Sequence, residues 1–496
     1  MAVFVRFILK RLAVDYENRI LLFDRVGIFE RSRARQAVFQ KGFEVFEYTD
    51  PEEFRFLYES KLRDKDGLKA IIRVKDPDLF VPYDIRKRYY KVVLDYSSLF
   101  PKLDAAELYK ARHIDHDMLY TAYRNYYGGN LGAKGTRDFI KNQVYTEENA
   151  NELVDTLKVR IENRLAGEMG YRDWFEIAGD YARIKMLVDG GFATIGIEGL
   201  AEAVDRAFKE WMLEHYKDLS GSASTGSPVM VHRINDYMRA RSGKVALVLI
   251  DGMSVENWLT IAAHLKGFER DFEVGYSFAM VPTTTAVSRQ TVFSSSLPVS
   301  HSDCFSLKHE EKQWRQYWQD SGYAGDDIYF GKGIRPDIPY NVRVVGIIVS
   351  FIDNLMHGQV QGQRGMYRDI ASWTEGEDLK RLVNGLTDRG FDVYITSDHG
   401  NIEAKGQGKP GNEGLLTEMT CLRARVYNEF AQTDTTEERY RVFEYPGIYM
   451  PKEYRYLICE GDTAFGIKGK KYVCHGGMSI EEVIVPFITV KDVDIK

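Results

Sequence analysis

The chain has 496 residues, 44% of them apolar and 28% charged, with a net charge of −6. That length exceeds one ordinary core and calls for two or three domains of soluble globular composition. The acidic balance speaks against a protein that simply coats nucleic acid, though it leaves room for a local basic groove, and no apolar run approaches the roughly 18 residues of a membrane helix.

The first 19 residues, MAVFVRFILKRLAVDYENR, lack the sustained apolar region and cleavage site of a signal peptide. Strand-like RILLFDRV, KAIIRV and YKVVLDY alternate with PEEFRFLYESKL, an amphipathic helix with proline at its start. These predict a small α/β domain over 1–103. From 104 to 215 the pattern turns helical, and TEENANELVDTLKVRIENRL opens on a threonine cap followed by acids. His113 and His116 read there as a solvated helix face. The Ser- and Gly-rich stretch 217–230 reads as a linker or mobile loop that closes the helical region 104–230.

Beyond it, over 231–496, the texture changes. KVALVLID, VRVVGIIVSFID and FDVYITSDHG are apolar, β-branched runs with helical stretches between them, which predicts a parallel sheet covered on both faces. Each run ends in a carboxylate: Asp251, Asp353 and Asp398. The carboxyl edge of an open α/β sheet is where ligands bind. One strand-end aspartate is an ordinary cap; three together, two of them with a nearby histidine, point to chemistry. His357 follows Asp353 by four residues, so one helical turn sets both on one side. His399 adjoins Asp398, and His475 precedes two glycines that allow close backbone approach. These six carboxylates and imidazoles are the donor types a divalent metal takes, enough for two ions, and two ions suit in-line displacement at phosphorus. A nucleophile is then needed. Val281-Pro-Thr-Thr-Thr-Ala-Val-Ser-Arg offers hydroxyls at an apparent helix start, where phosphate is favoured, and Arg289 one turn on offers a charged contact.

LVLIDGMS, PTTTAVSRQTVFSS, TSDHGN and HGGMSIEEVIVPF, in this order, resemble the alkaline phosphatase superfamily, and within it the PglZ domain. The resemblance covers about the last 265 residues. It implies an alkaline phosphatase-like, mostly parallel sheet with helices on both faces. It implies one metal site of Asp251, the nucleophile, Asp398 and His399, and another of Asp353, His357 and His475. The metals would be zinc, with manganese as the alternative. The family often sets its nucleophile four residues before a basic or polar one, which selects Thr285, with Thr284 in reserve. Threonine cannot become formylglycine, so the resemblance does not extend to sulfatases. Only about 60 residues separate Thr285 from the next strand, too few for the inserted domain of a phosphoglycerate mutase. Some PglZ proteins begin with a phosphate-receiver domain; this chain shows no early paired acids, and none is inferred. PglZ proteins belong to bacterial phage-defence systems, including BREX, which implies defence proteins as partners.

The resulting expectation is a cytoplasmic two-metal phosphoric ester hydrolase acting on a phosphate ester, a nucleotide or nucleic-acid end. Diesters are favoured over monoesters because no evident basic cluster neutralises a monoester's second charge. A phosphomonoesterase, or a metal-stabilised scaffold of a defence complex with little activity, is the alternative. The four scattered cysteines (Cys304, Cys421, Cys459, Cys474) form no CxxC, which fits a reducing compartment and no thiolate zinc site. Cys474 reads as packing. His301 and His309 flank a polar loop without a decided role. GKGIRP lacks the phosphate-loop pattern. KGQGKPGNEG reads as a lid or as a plain surface loop.

Overall fold

The computed structural model describes residues 3–491 apart from 33, 66, 77, 112, 223–225, 242, 269, 412–414, 417–420 and 429–433. The chain divides into two compact units. One is Met1–Leu157 with Glu269–Glu273; the other is Lys158–Phe268 with Val274–Lys491. No helix among the described residues is long and apolar enough to cross a membrane.

In the first unit β1 (Arg19–Phe23), β2 (Glu44–Tyr48), β3 (Ala70–Val74) and β4 (Tyr90–Val93) form an all-parallel sheet in the order β2-β3-β1-β4. Three of these lie in the apolar runs read from sequence. β2 was missed because its two glutamates dilute the pattern of a half-exposed strand. The helix Pro51–Leu57 starts where Asp50 accepts from the Glu52 and Glu53 backbone N–H groups, both at 2.8 Å. It continues as a wider π turn over Tyr58–Leu62, and Phe54, Tyr58 and Leu62, four apart, fill one core. Asp24, at the end of β1, is buried against Arg73 of β3 at 2.7 Å. The reading of His116 as solvated is corrected. Asp115 caps the helix His116–Arg124 by accepting from Asp117 N and Met118 N, which turns the His116 ring inward against Phe4 and Tyr96.

In the second unit the helices Tyr171–Asp189 and Glu198–His215 meet through Trp174, Phe208 and Trp211. Next come β5 (Val245–Ile250), β6 (Asp271–Phe278, counted in this unit from Val274 on), β7 (Ile328–Lys332), β8 (Val344–Val349) and β9 (Asp392–Thr396). After them follow β10 (Ile402–Gly406), β11 (Ala424–Asn428), β12 (Val442–Tyr445), β13 (Tyr454–Cys459), β14 (Thr463–Ala464), β15 (Lys471–Cys474) and β16 (Ile484–Lys491). The main sheet runs β6-β16-β9-β5-β8-β7. β9, β5, β8 and β7 are parallel, and β16 pairs antiparallel to β9. β5 and β8 are buried along their whole length, as unbroken apolar strands require when both faces are covered. The strands of the small sheets β14-β10-β15 and β11-β13-β12 lie in the chain between β9 and β16 of the main one, and β15 leads directly into His475.

The described part of 217–230 is not a free linker. Tyr216–Gly221 forms a 3-10 turn. Phe278 N donates to Val229 O at 2.8 Å, Ser227 Oγ donates to Tyr276 O at 2.9 Å and Ser277 Oγ to Pro228 O, so this polar stretch docks along β6. Residues 223–225 lie outside the described residues, as do 412–414 at the end of the glycine-rich loop.

Gly346 sits in the middle of β8, where an added Cβ would lie 2.8 Å from the Trp314 ring. Gly346→Ala is expected to lower stability by about 1–3 kcal/mol, read from the urea midpoint. An unchanged midpoint would show that the ring has room to move.

Candidate active site

Parallel pairing sets three strand ends side by side. Leu249 of β5 is level with Thr396 of β9, and Ile250 with Val349 of β8. The residues that follow therefore share one edge. Asp251 follows β5 directly, Ser397, Asp398 and His399 follow β9, and Asp353 and His357 lie on the helix Phe351–Gly358 after β8. The turn after Asp251 requires glycine. Gly252 has φ +72, and a Cβ there would lie 2.6 Å from Met356 Cε. Gly252 N donates to Asp398 Oδ1 at 3.1 Å.

Asp251, Asp398 and His399 are buried, and each offers a ligand atom within 4.8 Å of the others, close enough to share one ion. Alongside, Asp353 lies 3.4 Å from His357 Nε2 and 3.9 Å from His475 Nε2. The His399 and His475 rings stack with centroids 4.0 Å apart. The six donors named from the sequence thus lie along one edge, but among the described residues only Asp251, Asp398 and His399 are compact enough to share one ion; Asp353 touches His357 and His475 pairwise, and His357 is 67% exposed.

The histidines are held in one tautomer. His399 Nδ1 donates to Gly400 O at 2.9 Å and His475 Nδ1 donates to Thr283 O at 2.8 Å, which leaves each Nε2 a free lone pair facing the site. Burial, and for His475 also the neighbouring His399, depresses both rings, His475 to about 4, so both are neutral near pH 7. Burial and the adjacent Asp398 push Asp251 up to about 7. Burial also acts to raise Asp353, but the His357 hydrogen bond and the nearby His475 and His399 hold it at about 2. One oxygen of Asp251 and one of Asp353 are buried without a hydrogen-bond partner among the described residues.

The three threonines have three environments. Thr283 Oγ donates to Gly477 O at 2.8 Å and accepts from Gly476 N at 3.1 Å, fastening the His475 loop. Thr284 is the N-cap of the helix Thr285–Ser294, and its buried hydroxyl has no hydrogen-bond partner among the described residues. Thr285 Oγ lies 3.1 Å from His399 Nε2. Arg289, one turn on, does not face open space. It is buried and donates to Asp251, to Asp398 Oδ2 at 3.3 Å and to Glu310 Oε1 at 3.1 Å.

Sequence reasoning missed four supporting groups. Glu310 starts the helix Glu310–Asp320 and carries no motif. Ser397 Oγ donates to His399 O at 2.6 Å and accepts from Met253 N at 2.8 Å. Asn401 Nδ2 donates to Gly252 O at 2.8 Å. Glu482 accepts from Gly477 N at 2.7 Å and from buried Arg423 Nε at 3.0 Å, anchoring the loop after His475. Of these, only Ser397 and Asn401 had a signal, since both flank the Asp398-His399 pair. Glu482→Ala would strand Arg423 in the interior, and an unfolding free energy lower by about 3–5 kcal/mol is expected, measured in urea. A loss under 1 kcal/mol would mean that the Gly461 and Thr463 carbonyls suffice for Arg423.

Comparison with known proteins gives one family match and several weak structural ones. No curated protein matches the chain. Among solved structures it resembles murine ectonucleotide pyrophosphatase/phosphodiesterase 5 at 14% identity and TM-score 0.36, over 49% of this chain and 87% of that one. An inactive variant of that protein in complex with AMP gives 13% and 0.37, over 50% and 88%. Phosphonoacetate hydrolase from Sinorhizobium meliloti, in complex with phosphonoformate, gives 12% and 0.36, over 50% and 90%. All three TM-scores lie below 0.5, too low to carry function from those proteins to this one. The family model described as the BREX system PglZ alkaline phosphatase-like domain matches residues 229–490, more than half the chain and the whole span of the site. The chain belongs to the family of BREX system PglZ alkaline phosphatase-like domains.

Proposed function

We propose that this chain is a two-metal phosphoric ester hydrolase that works through a phosphothreonine on Thr285 and prefers diesters. The observation that carries this reading is the Thr285 hydroxyl, 3.1 Å from the unprotonated Nε2 of His399, beside the carboxylates Asp251 and Asp398. The donor set fits divalent ions. It has oxygen and neutral imidazole ligands, two imidazoles with lone pairs held inward, and two buried carboxylate oxygens without partners. Asp251, Asp398, His399 and Thr285 would hold one ion, and Asp353, His357 and His475 the other, with zinc favoured over manganese. When bound, the ions would neutralise charge on the phosphoryl oxygens and acidify the Thr285 hydroxyl.

The chain's own groups supply the rest. The N–H groups of Thr285, Ala286 and Val287 have no partner within the helix, whose first internal bond runs from Ser288 N to Thr284 O. Together with the unpartnered Thr284 hydroxyl, they form a cradle for phosphoryl oxygens at a helix N-terminus. The Thr285 hydroxyl gives its proton to solvent as its oxygen attacks phosphorus, the ester oxygen leaves and takes up a proton, and water then cleaves the bond between phosphorus and the Thr285 oxygen, restoring the hydroxyl and releasing the phosphate. Arg289 is already bonded to three carboxylates, so it has no charge to spare for a second phosphate anion, which supports diesters over monoesters. We extend the family's BREX description to a role in bacterial phage defence in the cytoplasm, with nucleotides or nucleic-acid ends as substrates and other defence proteins as partners.

Elemental analysis after purification with added zinc or manganese is expected to find close to two metals per chain; finding none would remove the proposed centre. With simple diester and monoester substrates, Thr285→Ala is expected to lower kcat more than about 1,000-fold while metal content stays unchanged. Full activity in Thr285→Ala, with loss in Thr284→Ala, would move the nucleophile by one residue. Asp353→Ala is expected to lower metal content and turnover together, and normal values for both would exclude it as a ligand.

A further inference from the structure

The site contains a cation that belongs to the chain. Arg289 is 5% exposed, and its guanidinium reaches Asp251 and Asp398, two of the carboxylates beside Thr285. Its third contact is Glu310, 2% exposed, which is itself held by Lys332 Nζ at 3.0 Å. Glu310 therefore fixes the guanidinium from behind and leaves two of its nitrogens directed at the site.

The two donor trios are unequal as a result. On the Thr285 side, the guanidinium takes one oxygen of Asp251 and Asp398 Oδ2, while Asp398 Oδ1 already accepts from Gly252 N and His399 N, both at 3.1 Å. Among the described residues, one carboxylate oxygen there, on Asp251, is left without a hydrogen bond. On the other side, among the described residues, no arginine or lysine pairs with Asp353, which faces His357 and His475. A fixed positive charge beside two ligands repels an incoming divalent ion and competes for the same lone pairs.

We propose that Arg289, positioned by Glu310, is a resident cation that makes the site of Asp251, Asp398 and His399 the weaker of the two. Divalent ions then fill Asp353, His357 and His475 first, and the Thr285 side only at higher concentration. This inference rests on the two-metal reading of the preceding section. The nucleophile's side is completed last, so turnover follows the occupancy of that side, not the filling of the tighter one.

The test is titration of the metal-free full-length protein with zinc or manganese against a chromogenic chelator, without substrate. Wild type is expected to bind in two steps separated at least tenfold. Arg289→Gln should tighten the second step at least tenfold and leave the first unchanged, while Arg289→Lys, which retains the charge, should keep two separated steps. Asp353→Asn provides an arm that does not depend on Arg289→Gln folding: it should remove the tight step and spare the weak one. Loss of the weak step in Asp353→Asn, or a second step unchanged or weakened in folded Arg289→Gln, would overturn the proposal while leaving a two-metal centre intact. Absence of binding in wild type and every variant would instead overturn the two-metal reading, and this inference with it.

Discussion

The parallel register of β5 with β8 and β9 is the constraint on which the rest of the site depends. Level pairing of Ile250 with Val349 and of Leu249 with Thr396 makes three strands stop together, so whatever follows each strand meets its neighbours. Because strand positions alternate faces, a slip of one residue would exchange every side chain between two covered, close-packed faces and move the strand ends out of line. Sheet register thus holds the carboxylates together against their mutual repulsion.

That repulsion explains the surrounding chemistry. Asp251, Asp353, Asp398 and Glu310 bring four carboxylates into a largely buried region, and Arg289 is the buried cation bonded to three of them. Backbone N–H groups of Gly252 and His399 supply further compensation at Asp398. Burial still raises Asp251, which marks charge left uncompensated by the chain. A centre of this kind suits divalent ions. The histidines are prepared in the same sense, since carbonyls of Gly400 and Thr283 take the Nδ1 protons and leave Nε2 available.

Much of this was legible in the sequence because the relevant signals were local. An apolar β-branched run closed by Asp251 or Asp398 carries both the strand and the position of its end, whereas the run read as ending at Asp353 leaves the sheet at Val349 and sets Asp353 on the helix Phe351–Gly358. Thr285 and Arg289 stand one turn apart in one short motif. What was not legible depends on residues far apart in the chain. Nothing near Glu310 announces that it will face Arg289, and Glu482 and Arg423 meet across 59 residues. Two readings failed for the same reason. His116 looked solvated until Phe4 and Tyr96 covered it, and the Ser-rich stretch before Met230 looked like a linker until β6 offered it hydrogen-bond partners. Composition describes what a residue prefers; tertiary contacts decide what it receives.

The most direct measurement of the central claim is anomalous scattering from crystals grown with zinc, collected above and below the zinc absorption edge. The account expects two peaks about 4 Å apart, one among Asp251, Asp398, His399 and the Thr285 hydroxyl, the other among Asp353, His357 and His475. No peak at either trio, or zinc bound only elsewhere on the chain, would contradict it.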